Sequence, residues 1–246
     1  MRFLNLVLIL SVGITAKSQE QPCGGPDHGP WTKLLQTHVD NQGWVSYNGF
    51  VKDSTKLNVY LESLSDCAPT NKWSKEEKLA YWINVYNAFT VKLIVDHYPV
   101  ESIKDIKRGI PFINSVWEMD FFQIDGNDFD LSKVEHDILR KEFDEPRIHF
   151  AIVCASKSCP RLLNEAFEPD KLEKQLEFQA KNFINDSSKN QLGSAEVSIS
   201  SIFRWFKGDF TRNGSLLEFI RKHSKTPVSD KAKVKYLEYD WSLNGE

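Results

Sequence analysis

The chain has 246 residues, enough for one large domain or two small ones. It is 41% hydrophobic and 26% charged, with 16 Phe, 7 Trp and 7 Tyr, which excludes wholesale disorder and supplies a sizeable core without a metal. A formal charge of −3 excludes a broad electrostatic grip on nucleic acid.

Residues 1–18 read as a secretory signal: Arg2 is the positive flank, Phe3 to Ile14 the apolar run, and Ala16-Lys17-Ser18 sets cleavage after Ser18. The run is too short to span a bilayer, which takes about 20 residues, and no later segment is long and apolar enough. The expected product is an exported protein, periplasmic or secreted, with no membrane span. Export permits disulfides among Cys23, Cys67, Cys154 and Cys159. Three pairings exist, of which Cys23 with Cys67 is favoured because it ties the N-terminal arm to the helical region. A Cys154–Cys159 bridge would remove both as nucleophiles.

A Gly/Pro linker over 19–30 leads into a helix with Trp31, Leu34, Leu35, His38 and Val39 at helical spacing. Gly43 to Tyr47 reads as a short strand. Leu57, Tyr60, Leu61 and Leu64 mark a second helix ending before Pro69. Ser74 and Glu77 form a capping box that opens a long helix running to Tyr98, where Pro99 stops it. This helix is apolar almost all round, the mark of a buried central element. Asn84 and Asn87 interrupt it on one face. They either tie neighbouring loops to the core or line a pocket.

Trp117 to Ile124, a turn at Asp125-Gly126-Asn127, and Phe129 to Leu131 suggest a hairpin. Ser132 and Glu135 form a second capping box, opening a helix through Phe143 that Pro146 ends. His149 to Ala155 is the best buried-strand candidate. Pro169 starts a helix carrying Leu172, Leu176, Ala180, Phe183 and Ile184. A strand over Val197 to Ile199, short helices at Ile202–Phe206 and Leu216–His223, and a strand near Val234–Tyr239 complete the chain. No repeat or internal boundary appears. The expectation is a single α+β domain over 31–246, with a long buried central helix and a small, mostly antiparallel sheet.

Chemically capable side chains cluster between Glu135 and Pro160. The segment reads Val-Glu-His-Asp-Ile-Leu-Arg, then Pro-Arg-Ile-His-Phe-Ala-Ile-Val-Cys-Ala-Ser-Lys-Ser-Cys-Pro. Together with Tyr81-Trp-Ile-Asn-Val-Tyr-Asn-Ala88 and Tyr239-Asp-Trp-Ser-Leu-Asn244, it resembles the family catalogued as domain of unknown function 547, over residues 31–244. The resemblance implies an exported bacterial member and a relation to papain-like or transglutaminase-like thiol hydrolases in permuted order. It implies no substrate. The matching positions are Asn84, Asn87, Glu135, His136, Arg140, Arg147, His149, Cys154, Cys159 and Pro160.

On their own chemistry, a thiol nucleophile needs an imidazole within reach and a group to orient it. Cys154 is the first choice, with His136 as base and His149, Glu135, Asn84 or Asn87 in support. Cys159 is the alternative nucleophile if Pro160 opens a helix there. Capping alone would explain Glu135, and adjacent helical residues point about 100° apart, so Glu135 does not orient His136 directly. Arg140 pairs with Asp137 or Asp144, or recognises a substrate carboxylate. The same two readings apply to Arg147, and Arg147 or amides near Ser158 could hold an oxyanion. The cysteines and histidines lack a closed zinc spacing, and no cofactor motif is present, so neither metal nor cofactor is expected. Aromatic residues around Trp205 and Phe206 suit carbohydrate stacking but more often form core.

The leading expectation is thus a thiol-dependent hydrolase acting on an amide or peptide bond. The alternative is a non-catalytic module with structural cysteines that binds a small-molecule or peptide ligand. The oligomeric state is open.

Overall fold

In the N-terminal half, local signals place the helices. The computed structural model describes residues 23–107 and 115–246; the expected signal segment 1–18 and residues 19–22 of the expected linker lie outside the described residues. Pro30 opens α1 (Gly29–His38), which buries Trp31, Leu34 and Leu35. Instead of a strand, Val45 makes only isolated bridges to Val39 and Gly245, and Tyr47 already begins α2 (Tyr47–Lys52). Helix α3 (Ser54–Ser65) buries the four residues at the expected spacing.

Helix α4 (Lys75–His97) starts at the Ser74/Glu77 capping box and is the centre of the fold. Its residues from Leu79 to Val91 are all buried, and α2, α3 and the 133–139 segment pack round it. The bridge Cys23–Cys67 ties the N-terminal arm to the end of α3, as favoured from the sequence.

The hairpin forms as β1 (Phe122–Ile124) and β2 (Asn127–Phe129), antiparallel about Asp125-Gly126, where both residues take positive φ. Beyond it the second capping box does not form. Ser132 is itself helical and makes no cap bond; Asp130 Oδ1 accepts from Lys133 N at 2.6 Å instead. The segment Lys133–Leu139 winds as a π-helix that continues into α5 (Arg140–Glu142). Freed from capping, Glu135 turns inward.

The strand expected over His149 to Ala155, in the apolar run that begins at Ile148, does not form. Pro146–Phe150 is a 3-10 turn, followed by irregular backbone. The run is apolar because it lies between two hydrophobic clusters: Ile148 and Ala151 to Val153 join the cluster around α4, while Phe150 joins a second one. Buried backbone without a partner strand must be satisfied by side chains. Asn87 does this twice, donating from Nδ2 to Ala151 O (2.9 Å) and accepting from Val153 N at Oδ1 (3.0 Å). Gln179 Nε2 donates to Phe150 O at 3.0 Å. Asn84 makes the same two-bond clamp on Phe167, at 2.8 and 3.0 Å.

The second cluster sits between α6 (Leu172–Asn185), the short helices α7 (Ile202–Trp205) and α8 (Lys207–Phe210), α9 (Leu216–His223) and a small sheet. That sheet runs β3 (Gln191–Leu192), β4 (Glu196–Ile199), β5 (Lys233–Tyr236), antiparallel then parallel. The architecture is α+β, with two of the three strand pairings among the described residues antiparallel.

The carboxamide clamps carry a prediction. Asn87→Ala strands two buried backbone groups, each worth about 1–3 kcal/mol. Urea unfolding should show a loss of about 2–5 kcal/mol, and an unchanged midpoint would mean that water or another group replaces the side chain.

Candidate functional site

The seam between the two clusters opens into a pocket of about 320 Å³. Helix α4 contributes Tyr86, the π-helix contributes Glu135 and His136, and the 3-10 turn contributes His149. Cys154, Cys159 and Pro160 form one wall. Trp117, Trp205, Phe206, Tyr239 and Trp241 supply an aromatic lining, in which Trp205, Tyr239 and Trp241 lie with ring centroids 4.6–5.8 Å apart.

The cysteine wall is a disulfide: Cys154 is bonded to Cys159, and no cysteine among the described residues is free. Cys159 opens no helix; it closes a turn, with its N–H on Ser156 O, and irregular chain follows. The C-terminal segment holds this turn. Lys157 N bonds Ser242 O, Ser158 N bonds Asp240 O, and Asn244 N bonds Ala155 O. Ala155 takes a left-handed φ of 56°, unusual for a residue with a Cβ. The Tyr239–Asn244 motif and the 154–159 motif are therefore physical partners. Ser158 donates its amide to Asp240 O and accepts from Asp240 N at its hydroxyl oxygen, and it lines the groove beyond the turn rather than this pocket.

Glu135 is 8% exposed and accepts from the Tyr86 hydroxyl at 3.2 Å. Burial pushes its carboxyl up to about 7, against the hydrogen bond from Tyr86 and the charge of Arg140. His136 Nδ1 faces Arg140 Nη1 at 3.0 Å. A guanidinium only donates, so Nδ1 accepts and the ring's proton sits on Nε2. Burial and Arg140 both lower the His136 pKa, which keeps the ring neutral. In this arrangement His136 offers a donor.

Arg140 pairs with neither Asp137 nor Asp144. Its Nε donates to Asp209 Oδ2 at 2.6 Å, while Asp137 pairs with Lys141 and Asp144 with Arg212. Asp209 is the hub of the site: His149 Nε2 donates to the same oxygen at 2.8 Å and Arg212 to Oδ1 at 3.0 Å. Burial would raise its carboxyl, but the bonds from His149 and Arg140 hold it well below the usual range. His149, whose own pKa burial lowers, is a neutral ring stacked on Phe206 at 4.0 Å.

Asn84, Asn87 and Arg147 do not line the pocket. The asparagines are engaged in their clamps. Arg147 is gripped by Glu145 and Glu173 at 2.6–2.8 Å, which drives its pKa upward. The residues that sequence reasoning missed are Asp209, which has no local signal, and Tyr86, Tyr239 and Trp241, which were visible within motifs but without a role. Among the described residues no group of three His, Cys, Asp or Glu side chains is disposed to hold a metal ion.

A family model described as "Protein of unknown function, DUF547" matches residues 70–184. Over those residues the chain is similar to that family. The match takes in α4, the π-helix, the cysteine turn and α6, and hence one side of the pocket; the wall formed by Trp205, Tyr239 and Trp241 lies beyond it. No curated protein and no solved structure matches the chain.

On the far side of the cysteine turn, an open groove of about 1030 Å³ shares Cys159 and Pro160 with the pocket. It is lined by amide and lysine side chains, and Arg161 there stacks on Phe178. It holds none of the Glu135, His136, His149 and Asp209 group.

Proposed function

We propose that this protein is an exported binding module whose pocket takes a small organic ligand with an apolar or aromatic body and a hydrogen-bonding head. The observation that carries this reading is the Cys154–Cys159 bridge. It engages both candidate nucleophiles, while the pocket beside it stays open. The rings of Trp117, Trp205, Tyr239 and Trp241 would cover the ligand body, a role suited to their large rigid faces. The Nε2–H of His136 and the carboxyl of Glu135 would meet the polar head. Export is supported by the two bridges, which suit an oxidising compartment. Among the described residues no helix is long and apolar enough to cross a membrane.

A second reading is a papain-like thiol hydrolase that is active when reduced. One observation favours it: His149, oriented by Asp209, lines the same pocket as Cys154. That is the base-and-orienter logic of a triad, with His149 in place of His136.

Protein-detected NMR against a library of small aromatic acids and amides separates the two. The binding reading predicts ligands that shift the tryptophan indole signals and lose at least tenfold in affinity in Trp241→Ala. Amide hydrolysis that appears on reduction and disappears in Cys154→Ala would replace it with the second reading.

A further inference from the structure

The two ends of the Cys154–Cys159 bridge have unlike surroundings. Both line the pocket, but Cys154 is half-buried whereas Cys159 is 5% exposed. Cys154 Sγ lies 3.1 Å from Ser156 Oγ and 3.3 Å from the Tyr239 hydroxyl. A bridged sulfur has no proton to give, so it accepts. Ser156 donates to Tyr239 at 3.4 Å, which leaves the Tyr239 proton for the sulfur. Burial raises the Tyr239 pKa, so this donor stays protonated. At the other end, the backbone N–H of Cys154 donates to Cys159 Sγ at 2.8 Å. Each sulfur thus already has a donor aimed at it, the condition under which a thiolate is stabilised when the bond opens.

We propose that Cys154–Cys159 is an exchange-active disulfide that reacts with a small thiol occupying the aromatic pocket. The proposal deepens the binding reading by naming the ligand class, and rests on it for where the thiol sits. A ligand thiolate attacks Cys154, the less buried of the two cysteines that line the pocket. The ligand–Cys154 sulfur bond forms as the Cys154–Cys159 bond breaks, and Cys159 leaves as a thiolate onto the Cys154 N–H. A second thiolate then attacks the ligand sulfur of the mixed disulfide. Cys154 leaves as a thiolate held by Tyr239, and the two ligand thiols depart as their disulfide. Two thiols are oxidised and the protein bridge gains the electron pair.

The test uses the full chain in graded glutathione redox buffers, quenched with acid and mapped by non-reducing peptide mass analysis. The bridge Cys23–Cys67, which lies outside the pocket, is the internal reference. The proposal expects Cys154–Cys159 to open at a thiol ratio at least tenfold lower than Cys23–Cys67, with the fold intact. In Cys159→Ser, glutathione should form a one-to-one mixed disulfide at Cys154. In the reduced protein, Tyr239→Phe should raise the pH of half-maximal Cys154 alkylation by about one unit, a change that a purely structural tyrosine would not cause. Opening of both bridges together, and only on unfolding, overturns the proposal. So does a 154–159 bridge inert to glutathione in protein that still binds pocket ligands, an outcome that leaves the binding reading standing.

Discussion

Asp209→Ala should cost the protein about 3–5 kcal/mol at pH 7, the range expected when one partner of a buried ionic cluster is removed. Asp209 is 8% exposed, and Arg140, His149 and Arg212 all converge on it. Without the carboxylate, Arg140 keeps its charge in a partly buried place, the exposed Arg212 loses a partner, and His149 loses the acceptor for Nε2–H. The loss should depend on pH in a definite sense. The Asp209 carboxyl is held below its ordinary value, so its contribution is complete above the ordinary carboxylate range and fades as pH falls through the folded value. Chemical denaturation of the variant and the parent at pH 7 and near pH 2 measures this. The two curves should lie far apart at pH 7 and converge in acid. A difference below about 1 kcal/mol at pH 7 would mean that the cluster is not the hub its geometry describes. Loss of Asp209 should also free Arg140 from the site and so loosen its bond to His136 Nδ1.

Glu135 carries the opposite sign. Its carboxyl sits near 7 in the folded protein against an ordinary value of 4.5, because burial disfavours the anion. Below pH 4.5 both the folded and the unfolded state hold the proton. Between 4.5 and 7 the unfolded state gives it up first, so stability falls as pH rises, and above 7 the loss is complete. A shift of that size corresponds to about 3 kcal/mol. Glu135→Gln removes the titration but keeps an oxygen for the Tyr86 hydroxyl. The variant should therefore gain about 3 kcal/mol on the parent between pH 4 and pH 8. Parallel stability profiles would show that the carboxyl is hydrated and of ordinary acidity. If Glu135 meets the polar head of a ligand, the affinity of a ligand that accepts the Glu135 proton should also drop above pH 7.

The residues that the sequence exposed and those it hid differ by the range of their interactions. Helix α4 was readable to within a residue, because Ser74, Glu77 and Pro99 are local signals and its all-round apolar character has one physical meaning. The pairing of Cys23 with Cys67 followed from needing to anchor an arm. Two errors came from signals that admit a second cause. Ser132 and Glu135 have capping-box spacing, yet Asp130 takes the Lys133 amide and Glu135 bonds Tyr86, 49 residues away. The run 148–153 is apolar because it threads between two clusters, and the carboxamides of Asn87 and Gln179 supply the bonds that a neighbouring strand would have given.

The site was half legible for the same reason. Glu135, His136, His149, Cys154 and Cys159 are close in sequence, and the structure brings all five to one pocket. Asp209, which organises the histidines, lies 60 residues beyond His149 in a short Lys-Gly-Asp-Phe helix with no pattern around it. Arg147 looked equivalent to Arg140 in the sequence. Its proximity to Glu145 was visible, but its grip by Glu173 across the chain was not.

The most direct test of the account is a thiol count on the natively isolated protein, followed by non-reducing peptide mass mapping. The account predicts no alkylatable thiol before reduction and two bridges, Cys23–Cys67 and Cys154–Cys159. A free Cys154 that alkylates rapidly below pH 7 would contradict it, returning a nucleophile to the pocket and making the hydrolase the better reading.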